Sequence, residues 1–206
     1  TDANLCSITK SVSVSEPTSY SASISSSTNV SCNGGLDGSA TVSVTGGVGP
    51  ITFSWNTTPA QTNATATGLS AGNYVVTVTD ANSVVTTANV NITEPTSLSI
   101  SISVSDVACA TDVTGGLDAT VTGGTPNYTY AWSNSSTFKT ILNIPAGSYT
   151  VTITDANNCS KTDQVTLVSP SAIVPVASVV SNVSCFGLSD GEATVTATGG
   201  TPGYTY

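Results

Sequence analysis

Apolar and hydroxyl side chains alternate along several segments of the chain with a period of two residues. The alternation is clearest at 39–45 (SATVSVT), 51–55 (ITFSW) and 74–80 (YVVTVTD). Successive side chains of a β-strand point to opposite faces of a sheet, so this period predicts strands with one buried face. No segment has the apolar stripe of an amphipathic helix. The sequence therefore predicts an all-β protein.

The same landmarks recur along the chain at a spacing of 75 to 78 residues. Thr-Asp-Ala-Asn begins at 1, 79 and 154, and a Pro follows each of its Asp residues 15 positions later. A Cys stands at 32, 109 and 185, and Gly-Gly follows 14 residues after each of these Cys residues. Agreement among so many offsets predicts tandem repeats.

The landmarks divide the chain into four parts. We expect the C-terminal tail of one repeat at 1–17, whole repeats at 18–95 and 96–170, and the N-terminal part of a further repeat at 171–206. The chain begins without Met and contains five cysteines, an odd number. We therefore expect it to be a window cut from a longer protein.

Within a repeat, short predicted strands are separated by Gly-Gly, Asp-Gly and Asp-Ala-Asn turns. An apolar residue, a Gly and a Tyr recur at 69–74 and 144–149, as in a tyrosine corner. With Trp55 and Trp132 as core residues, each repeat is predicted to be an immunoglobulin-like or PKD-like antiparallel β-sandwich of about seven strands. Pro175 cannot donate a ladder hydrogen bond, so its strand is predicted to lie at a sheet edge.

Charge and composition exclude several classes of protein. Lys10, Lys139 and Lys161 are the only cations against 12 acidic residues, giving a net charge of −9, which excludes a basic nucleic-acid interface. The chain has no His, so it lacks the usual base for a Ser or Cys nucleophile, and the three Lys do not occupy equivalent repeat positions. Asp in Asp-Gly and Asp-Ala-Asn segments is typical of Asx turns. We expect no enzyme activity.

Aromatic residues on one strand raise the question of sugar binding. Tyr128, Tyr130 and Trp132 share one face of their predicted strand and could stack on a glycan. In the preceding repeat Ile51 stands where this one has Tyr128, and an Ile cannot serve a stacking surface. The replacement favours core packing for this face.

The cysteines allow more than one pairing. Pairing within a repeat, which is usual in secreted repeats, would join Cys109 to Cys159, and we take this as the prediction. In an immunoglobulin-like topology these residues would lie about 30 Å apart, at opposite ends of parallel strands. That topology would instead bring Cys32 of one repeat towards Cys159 of the next. This pairing and free thiols stand as alternatives.

Acidic residues are expected to collect where consecutive repeats meet. The assumed topology brings Asp37 towards Asp155 and Asn157 across a linker that carries Glu94. Hard oxygen ligands from two repeats and a linker would suit Ca²⁺, so we predict a calcium site that stiffens this junction. The alternative is that the same residues only stabilise their turns.

The ordered series Val-Ser-Cys, Asp-Gly, Ala-Thr-Val, Gly-Gly-Thr-Pro, Tyr-Thr-Tyr and Ala-Gly-x-Tyr-x-Val-Thr-x-Thr-Asp-Ala-Asn resembles the SprB-type repeat of Bacteroidetes surface adhesins. The resemblance covers essentially the whole chain. The sequence departs from the pattern at Thr114, which precedes Gly at the position that Asp37 and Asp190 occupy in the other repeats. It departs again at Ser83, where Cys159 stands in the next repeat.

The resemblance implies a structural stalk segment of a very large filamentous adhesin, exported by the type 9 secretion system and used in gliding and surface attachment. It implies an extracellular, outer-membrane-associated location, with a sorting domain beyond this window. The implied partners are neighbouring repeats, an external surface or polysaccharide, and the secretion and gliding machinery. The alternative is a spacer or carbohydrate-binding module array in a secreted glycan-degrading enzyme.

Overall fold

The computed structural model describes residues 1–14 and 19–206, and within that part of the chain every regular element is a β-strand. The predicted boundary between residues 17 and 18, with Pro17, lies outside the described residues. No helix long and apolar enough to cross a membrane occurs in 1–14 or 19–206. The strands are β1 (Ser21–Thr28), β2 (Gly38–Thr45), β3 (Thr52–Trp55), β4 (Thr65–Leu69), β5 (Gly72–Thr79), β6 (Val85–Ile92), β7 (Ser99–Ser105), β8 (Gly115–Thr122), β9 (Thr129–Trp132), β10 (Thr140–Ile144), β11 (Gly147–Thr154), β12 (Ser160–Leu167), β13 (Val174–Ser181) and β14 (Glu192–Thr198).

The strands form the same antiparallel sheets twice along the chain, within two compact units, Thr1–Glu94 and Pro95–Tyr206. In the first unit the sheets have the orders β1-β2-β4 and β3-β5-β6. In the second they are β7-β8-β10 and β9-β11-β12, followed by the hairpin β13-β14. Pro175 lies in β13, whose single ladder in the described chain is with β14, so this strand is at an edge as predicted. The all-β sandwich prediction is confirmed.

Each pair of sheets encloses one hydrophobic core, which explains the period of two in the sequence. Trp55 is 1% exposed and Trp132 is 4% exposed, so both belong to the core as predicted. Each indole Nε1 donates to a backbone carbonyl at 2.9 Å, that of Asn63 for Trp55 and that of Phe138 for Trp132. Burial of a large ring with its polar atom bonded makes these residues the centres of their sandwiches.

An aromatic and an aliphatic side chain exchange positions between the two whole repeats. Tyr20 and Ile51 pack against the first core, while Leu98 is buried and Tyr128 packs against the second core. A Cβ at Gly47 would lie 2.6 Å from the ring of Tyr20 and 3.3 Å from Ile51 Cδ1, so the two side chains border the same space. Each repeat thus has one aromatic and one aliphatic residue at these two positions, all of them at least partly buried, which supports packing as the role of this face.

A tyrosine corner closes each sandwich, as the Ala-Gly-x-Tyr pattern predicts. The hydroxyl of Tyr74 donates to the carbonyl of Ser70 at 3.1 Å, and that of Tyr149 donates to the carbonyl of Pro145 at 2.9 Å. These bonds fix the loop that leads into β5 or β11.

Candidate functional site

Each repeat has two ends with distinct chemistry. We call them the entry end, where the chain comes into the sandwich, and the exit end, where it leaves. The entry end contains a buried carboxylate. Asp155 is 5% exposed, and its Oδ1 accepts the N–H groups of Asn157 and Cys159, both at 2.9 Å. Its Oδ2 accepts the N–H of Thr125 at 2.8 Å, from the turn after the Gly-Gly pair. The Thr125 bond, with those from Cys159 and Asn157, outweighs desolvation and holds the pKa of Asp155 below its ordinary value.

Asp80 forms the same structure in the first unit. It is 7% exposed, its Oδ1 accepts the N–H groups of Asn82 and Val84, and its Oδ2 accepts that of Val48. Burial alone would raise the pKa of Asp80, but the N–H bonds from Val84, Val48 and Asn82 leave it below the ordinary value. The carboxylate therefore joins the hairpin between β5 and β6 to the turn at Val48, which lies 32 residues earlier in the chain.

The Gly-Gly pair of the entry end is required by the close approach of the incoming chain. Gly124 donates its N–H to the carbonyl of Thr96 at 2.8 Å. At Gly123 the φ angle is +75°, and a Cβ would lie 2.0 Å from the carbonyl oxygen of Ser97. Gly199 repeats both features, with φ +75° and a backbone oxygen 2.1 Å from the Cβ position. No other residue type fits where the linker meets this turn.

At the exit end, an acceptor side chain closes the loop that carries the first cysteine. Asp37 Oδ1 accepts the N–H of Ser31 at 3.0 Å, and Asp190 makes the equivalent bond at 3.1 Å. Where Thr114 replaces the Asp, its Oγ1 accepts the N–H of Ala108 at 3.3 Å. The hydrogen bond from the Ser31 side chain, with that from its backbone, lowers the pKa of Asp37. The replacement by Thr114 thus keeps the loop-closing bond.

The structure places the four predicted calcium ligands in two groups, one in each unit. Glu94 accepts hydrogen bonds from Asn33 Nδ2 at 3.0 Å and from the N–H of Gly34 at 2.6 Å, so it contacts the exit loop that Asp37 closes. Asp155 and Asn157 share the entry hairpin of the second unit. Within 1–14 and 19–206, no cluster of three or more His, Cys, Asp or Glu is arranged to hold a metal ion. The calcium site stays a prediction.

The predicted bond between Cys109 and Cys159 is not formed, because the two residues lie at opposite ends of one sandwich. Cys109 has a free, exposed thiol and follows Val107, whose N–H donates to the carbonyl of Val168 just after β12. Cys159 immediately precedes β12, which has eight residues. A strand of that length spans about 26 Å, far beyond the reach of a disulfide.

Sequence reasoning recognised the Asx turns but missed that their carboxylates also hold the Gly-Gly turn. The available signal was the constancy of Asp at this position in all three copies. Asp2 keeps the local part of the arrangement, since its Oδ1 accepts the N–H groups of Asn4 at 3.0 Å and Cys6 at 2.9 Å. A residue that only made a turn could have been exchanged for Asn.

A family model described as "SprB repeat" matches the chain at residues 24–60, 101–137 and 177–206, which together make up just over half of its length. Each match begins in the first strand of a repeat and, in the two complete cases, ends just beyond the buried Trp. A comparison with curated proteins finds no match.

Several solved structures match the chain at low sequence identity. A C-terminal intimin fragment, solved with the intimin-binding domain of its translocated receptor, is 20% identical over 78% of this chain and 67% of that one, with a TM-score of 0.37. A tetra-tandem repeat from the extending region of a large adhesion protein is 14% identical over 87% of this chain and 62% of that one, with a TM-score of 0.28. The N-terminal four Ig domains of Dscam1 give 12% identity over 75% and 47%, with a TM-score of 0.33.

Proposed function

We propose that this chain, which belongs to the SprB repeat family, is a load-bearing stalk segment of a large extracellular adhesin. The observation that carries the proposal is the path of the chain through a repeat. The incoming linker is bonded to the Gly-Gly turn at one end of the sandwich, and the last strand leaves beside the cysteine loop at the other end. A chain that enters a sandwich at one end and leaves it at the other suits a stalk of tandem repeats.

The bonding at each end suits a segment that carries force. In the first unit the outgoing chain is held to the loop after β1, where Val30 donates to the carbonyl of Thr93 at 2.9 Å and Thr93 donates to Asn29 Oδ1 at 3.0 Å. The second unit has the same pair of bonds, from Val107 to Val168 and from Val168 to Asp106. A force applied through the chain therefore acts along the strands and must shear several hydrogen bonds together.

The stalk would be displayed on the cell surface, attached to the outer membrane, and used in gliding motility and attachment to surfaces or polysaccharides. Family membership supports this assignment, and with it export by the type 9 secretion route. The role is structural rather than enzymatic, since the buried carboxylates are bonded to backbone N–H groups inside their own turns. Its direct partners would be neighbouring repeats, with the external ligand bound elsewhere in the full-length adhesin.

A replacement experiment in cells that carry the full-length gene tests this proposal. One strain has residues 21–167 replaced by two unrelated immunoglobulin-like domains of similar length, and a second strain has them deleted. Surface display is measured by antibody labelling, and attachment under flow is measured in both. A stalk predicts that the replacement keeps attachment while the deletion reduces it. Loss of attachment in the replacement strain, with normal display, would mean that these repeats bind the ligand themselves.

A binding assay with the purified chain addresses the alternative role as a carbohydrate-binding array. The chain is passed over immobilised polysaccharides in parallel with a protein known to bind them. The stalk proposal predicts no retention above that of an unrelated sandwich domain. Specific retention that is lost on changing surface residues would favour the binding-module role.

A further inference from the structure

The two whole repeats differ at one edge of the sandwich. β4 and β10 are equivalent strands, and among the described strands each is hydrogen-bonded to a single neighbour, β2 or β8. The other side of β4 and of β10 is therefore an edge of the sheet. Along such a strand, every second residue directs its N–H and C=O away from the sheet. These groups can pair with another strand unless something covers them.

In the first repeat, a side chain covers the edge of β4. Gln61 Nε2 donates to the carbonyl of Thr67 at 2.9 Å, and Gln61 Oε1 accepts the N–H of Thr67 at 3.0 Å. The carboxamide thus makes the two bonds that a neighbouring strand would make. Of the two successive outward residues Thr65 and Thr67, one is therefore already bonded.

Ser136 occupies the place of Gln61 in the second repeat. In the first repeat, the Gln61 carbonyl accepts the N–H of Trp55 at 2.9 Å. In the second, the Ser136 carbonyl accepts the N–H of Trp132 at the same distance. The Ser136 hydroxyl accepts the N–H of Phe138 at 3.4 Å, and this short side chain has no carboxamide to bond a strand edge. The second repeat thus lacks the side chain that covers β4.

Two residues of β10 consequently present unbonded backbone groups. The carbonyl of Lys139 accepts the N–H of Ala119 in β8 at 3.1 Å. Because the direction alternates along a strand, Thr140 and Leu142 direct their backbone groups away from β8. Within 1–14 and 19–206, these outward groups have no hydrogen-bond partner. The edge of β10 is therefore open for pairing.

The same edge carries apolar side chains where the first repeat has polar ones. Leu142 is largely exposed and stands at the position of Thr67. Phe138 is also largely exposed and is equivalent to Asn63, since both carbonyls accept the indole N–H of the core Trp. Leu142 and Val104 line a groove of about 160 Å³ on this sheet. Apolar side chains beside open backbone groups favour the addition of a strand.

The edge of β10 is also locally neutral. The chain as a whole carries a net charge of −9, which opposes contact between two copies. Lys139 is the one charged residue in the segment 138–144. Its Nζ lies 3.3 Å from Asp118 Oδ2 on the adjacent β8. Since the two charges balance, a second copy meets little repulsion at this edge.

We propose that two copies of this chain pair antiparallel through their β10 edges, related by a twofold axis. The spacing of the outward residues makes the strand complementary to itself. With Ile141 of each copy at the axis, Thr140 of one copy lies opposite Leu142 of the other, and each of the four outward N–H groups meets an outward carbonyl. β4 cannot make this set of bonds, because Gln61 already occupies Thr67.

Analytical ultracentrifugation of the whole chain tests the pairing. The buffer contains a reductant, so that disulfide-linked dimers do not contribute. A single short edge buries less surface than a standard interface, and we expect a Kd of roughly 0.1 to 1 mM. The weight-average mass should therefore rise from that of one chain towards that of two as the concentration is raised to about 1 mM.

Variants of the edge identify the surface that pairs. Ser136→Gln installs in the second repeat the side chain that covers β4, and Leu142→Thr gives β10 the residue of the first repeat. Each should weaken the dimer at least about tenfold, and neither removes a buried side chain. Val85→Thr is the matched control, because it removes an exposed apolar side chain from β6 of the first repeat. It should leave the Kd unchanged.

Amide hydrogen exchange measured by NMR locates the interface. The Thr140 and Leu142 amides should exchange rapidly in dilute solution and more slowly as the dimer forms. The Thr67 amide, which is bonded to Gln61, should exchange slowly at both concentrations.

Three results would overturn the proposal. The first is a chain that stays monomeric up to about 1 mM. The second is a dimer whose Kd is unchanged in Ser136→Gln or Leu142→Thr, which would mean that another surface, such as the β13-β14 hairpin, pairs instead. The third is a dimer in which the Thr140 and Leu142 amides still exchange rapidly.

Discussion

Replacing Asp155 by Asn changes one atom in the centre of the entry hairpin. The carboxylate accepts three backbone N–H bonds, two on Oδ1 and one on Oδ2. The amide of Asn has one acceptor oxygen and one NH₂ group. In either orientation it presents a donor to at least one N–H that the Asp side chain had satisfied, so that group is left buried without a partner.

The expected cost follows from the bonds that are lost. A hydrogen bond to a charged group contributes about 1.5 to 3 kcal/mol, and an unsatisfied buried N–H costs a similar amount. Because one orientation of the amide retains the two Oδ1 bonds, the loss is set by the single bond to Thr125. We expect Asp155→Asn to destabilise the second unit by about 2 kcal/mol, which lowers its urea midpoint by roughly 1 to 2 M.

The two tryptophans allow each unit to be followed separately, since Trp55 lies in the first unit and Trp132 in the second. In a Trp55→Phe background, Trp132 fluorescence reports unfolding of the second unit alone. In a Trp132→Phe background, Trp55 reports the first. Urea titrations in reducing buffer should show a lower midpoint for Trp132 and an unchanged midpoint for Trp55.

The exposed Asp163 in β12 provides a matched control, because Asp163→Asn makes the same charge change in the same unit. Its midpoint should stay close to that of the unchanged chain. Equal shifts for Asp155→Asn and Asp163→Asn would mean that charge, and not the buried bonds, sets the effect. An unchanged Trp132 midpoint in Asp155→Asn would refute the reasoning outright.

Three further predictions concern pH, the core and calcium. The pKa values of Asp80 and Asp155 lie below the ordinary 3.8, so the stability that they provide is present above that value and is lost as pH falls through the folded-state pKa. Urea midpoints should be level from about pH 7 to pH 5 and fall below about pH 4, and a level profile to pH 2 would contradict this. Trp132→Ala should cost about 3 to 5 kcal/mol and unfold the second unit in circular dichroism melts, whereas wild-type melting with loss of glycan binding would show that the ring is a binding site. Excess chelator should leave the melting temperature of each unit unchanged, because Asp37 and Asp155 are bonded within their own units. A large shift in the melting temperature would mean that bound calcium stabilises the folded units. The calcium hypothesis predicts that titration of the unchanged chain with Ca²⁺ produces heat of binding, and that Asp37→Asn abolishes it. If the unchanged chain gives no heat, the predicted ligands only stabilise their turns.

Strand positions could be predicted closely because they depend on local alternation. The segment 39–45 was expected as a strand and is found at Gly38–Thr45, and 51–55 is found at Thr52–Trp55. Alternation reports which face of a strand is buried, and the turn residues mark where each strand ends. The tyrosine corners and the two core tryptophans followed from the same local patterns.

The contacts that depend on distant parts of the chain could not be predicted. The exchange of Tyr20 and Ile51 for Leu98 and Tyr128 involves two positions about 30 residues apart in each repeat, which no single segment reveals. The pairing of Cys109 with Cys159 was predicted from the habit of secreted repeats, although the immunoglobulin-like topology already placed the two residues about 30 Å apart. The free thiol of Cys109 shows that the topological argument should have decided the point.

Stretching single molecules of this chain in reducing buffer tests most directly whether it acts as a stalk of independent sandwiches. Two equal unfolding events are predicted, each releasing a contour length of about 250 Å, because a repeat of 75 to 78 residues extends by roughly 3.3 to 3.6 Å per residue. Asp155→Asn should weaken one event and leave the other unchanged. A single event that releases both repeats together, or extension without resistance, would contradict the account.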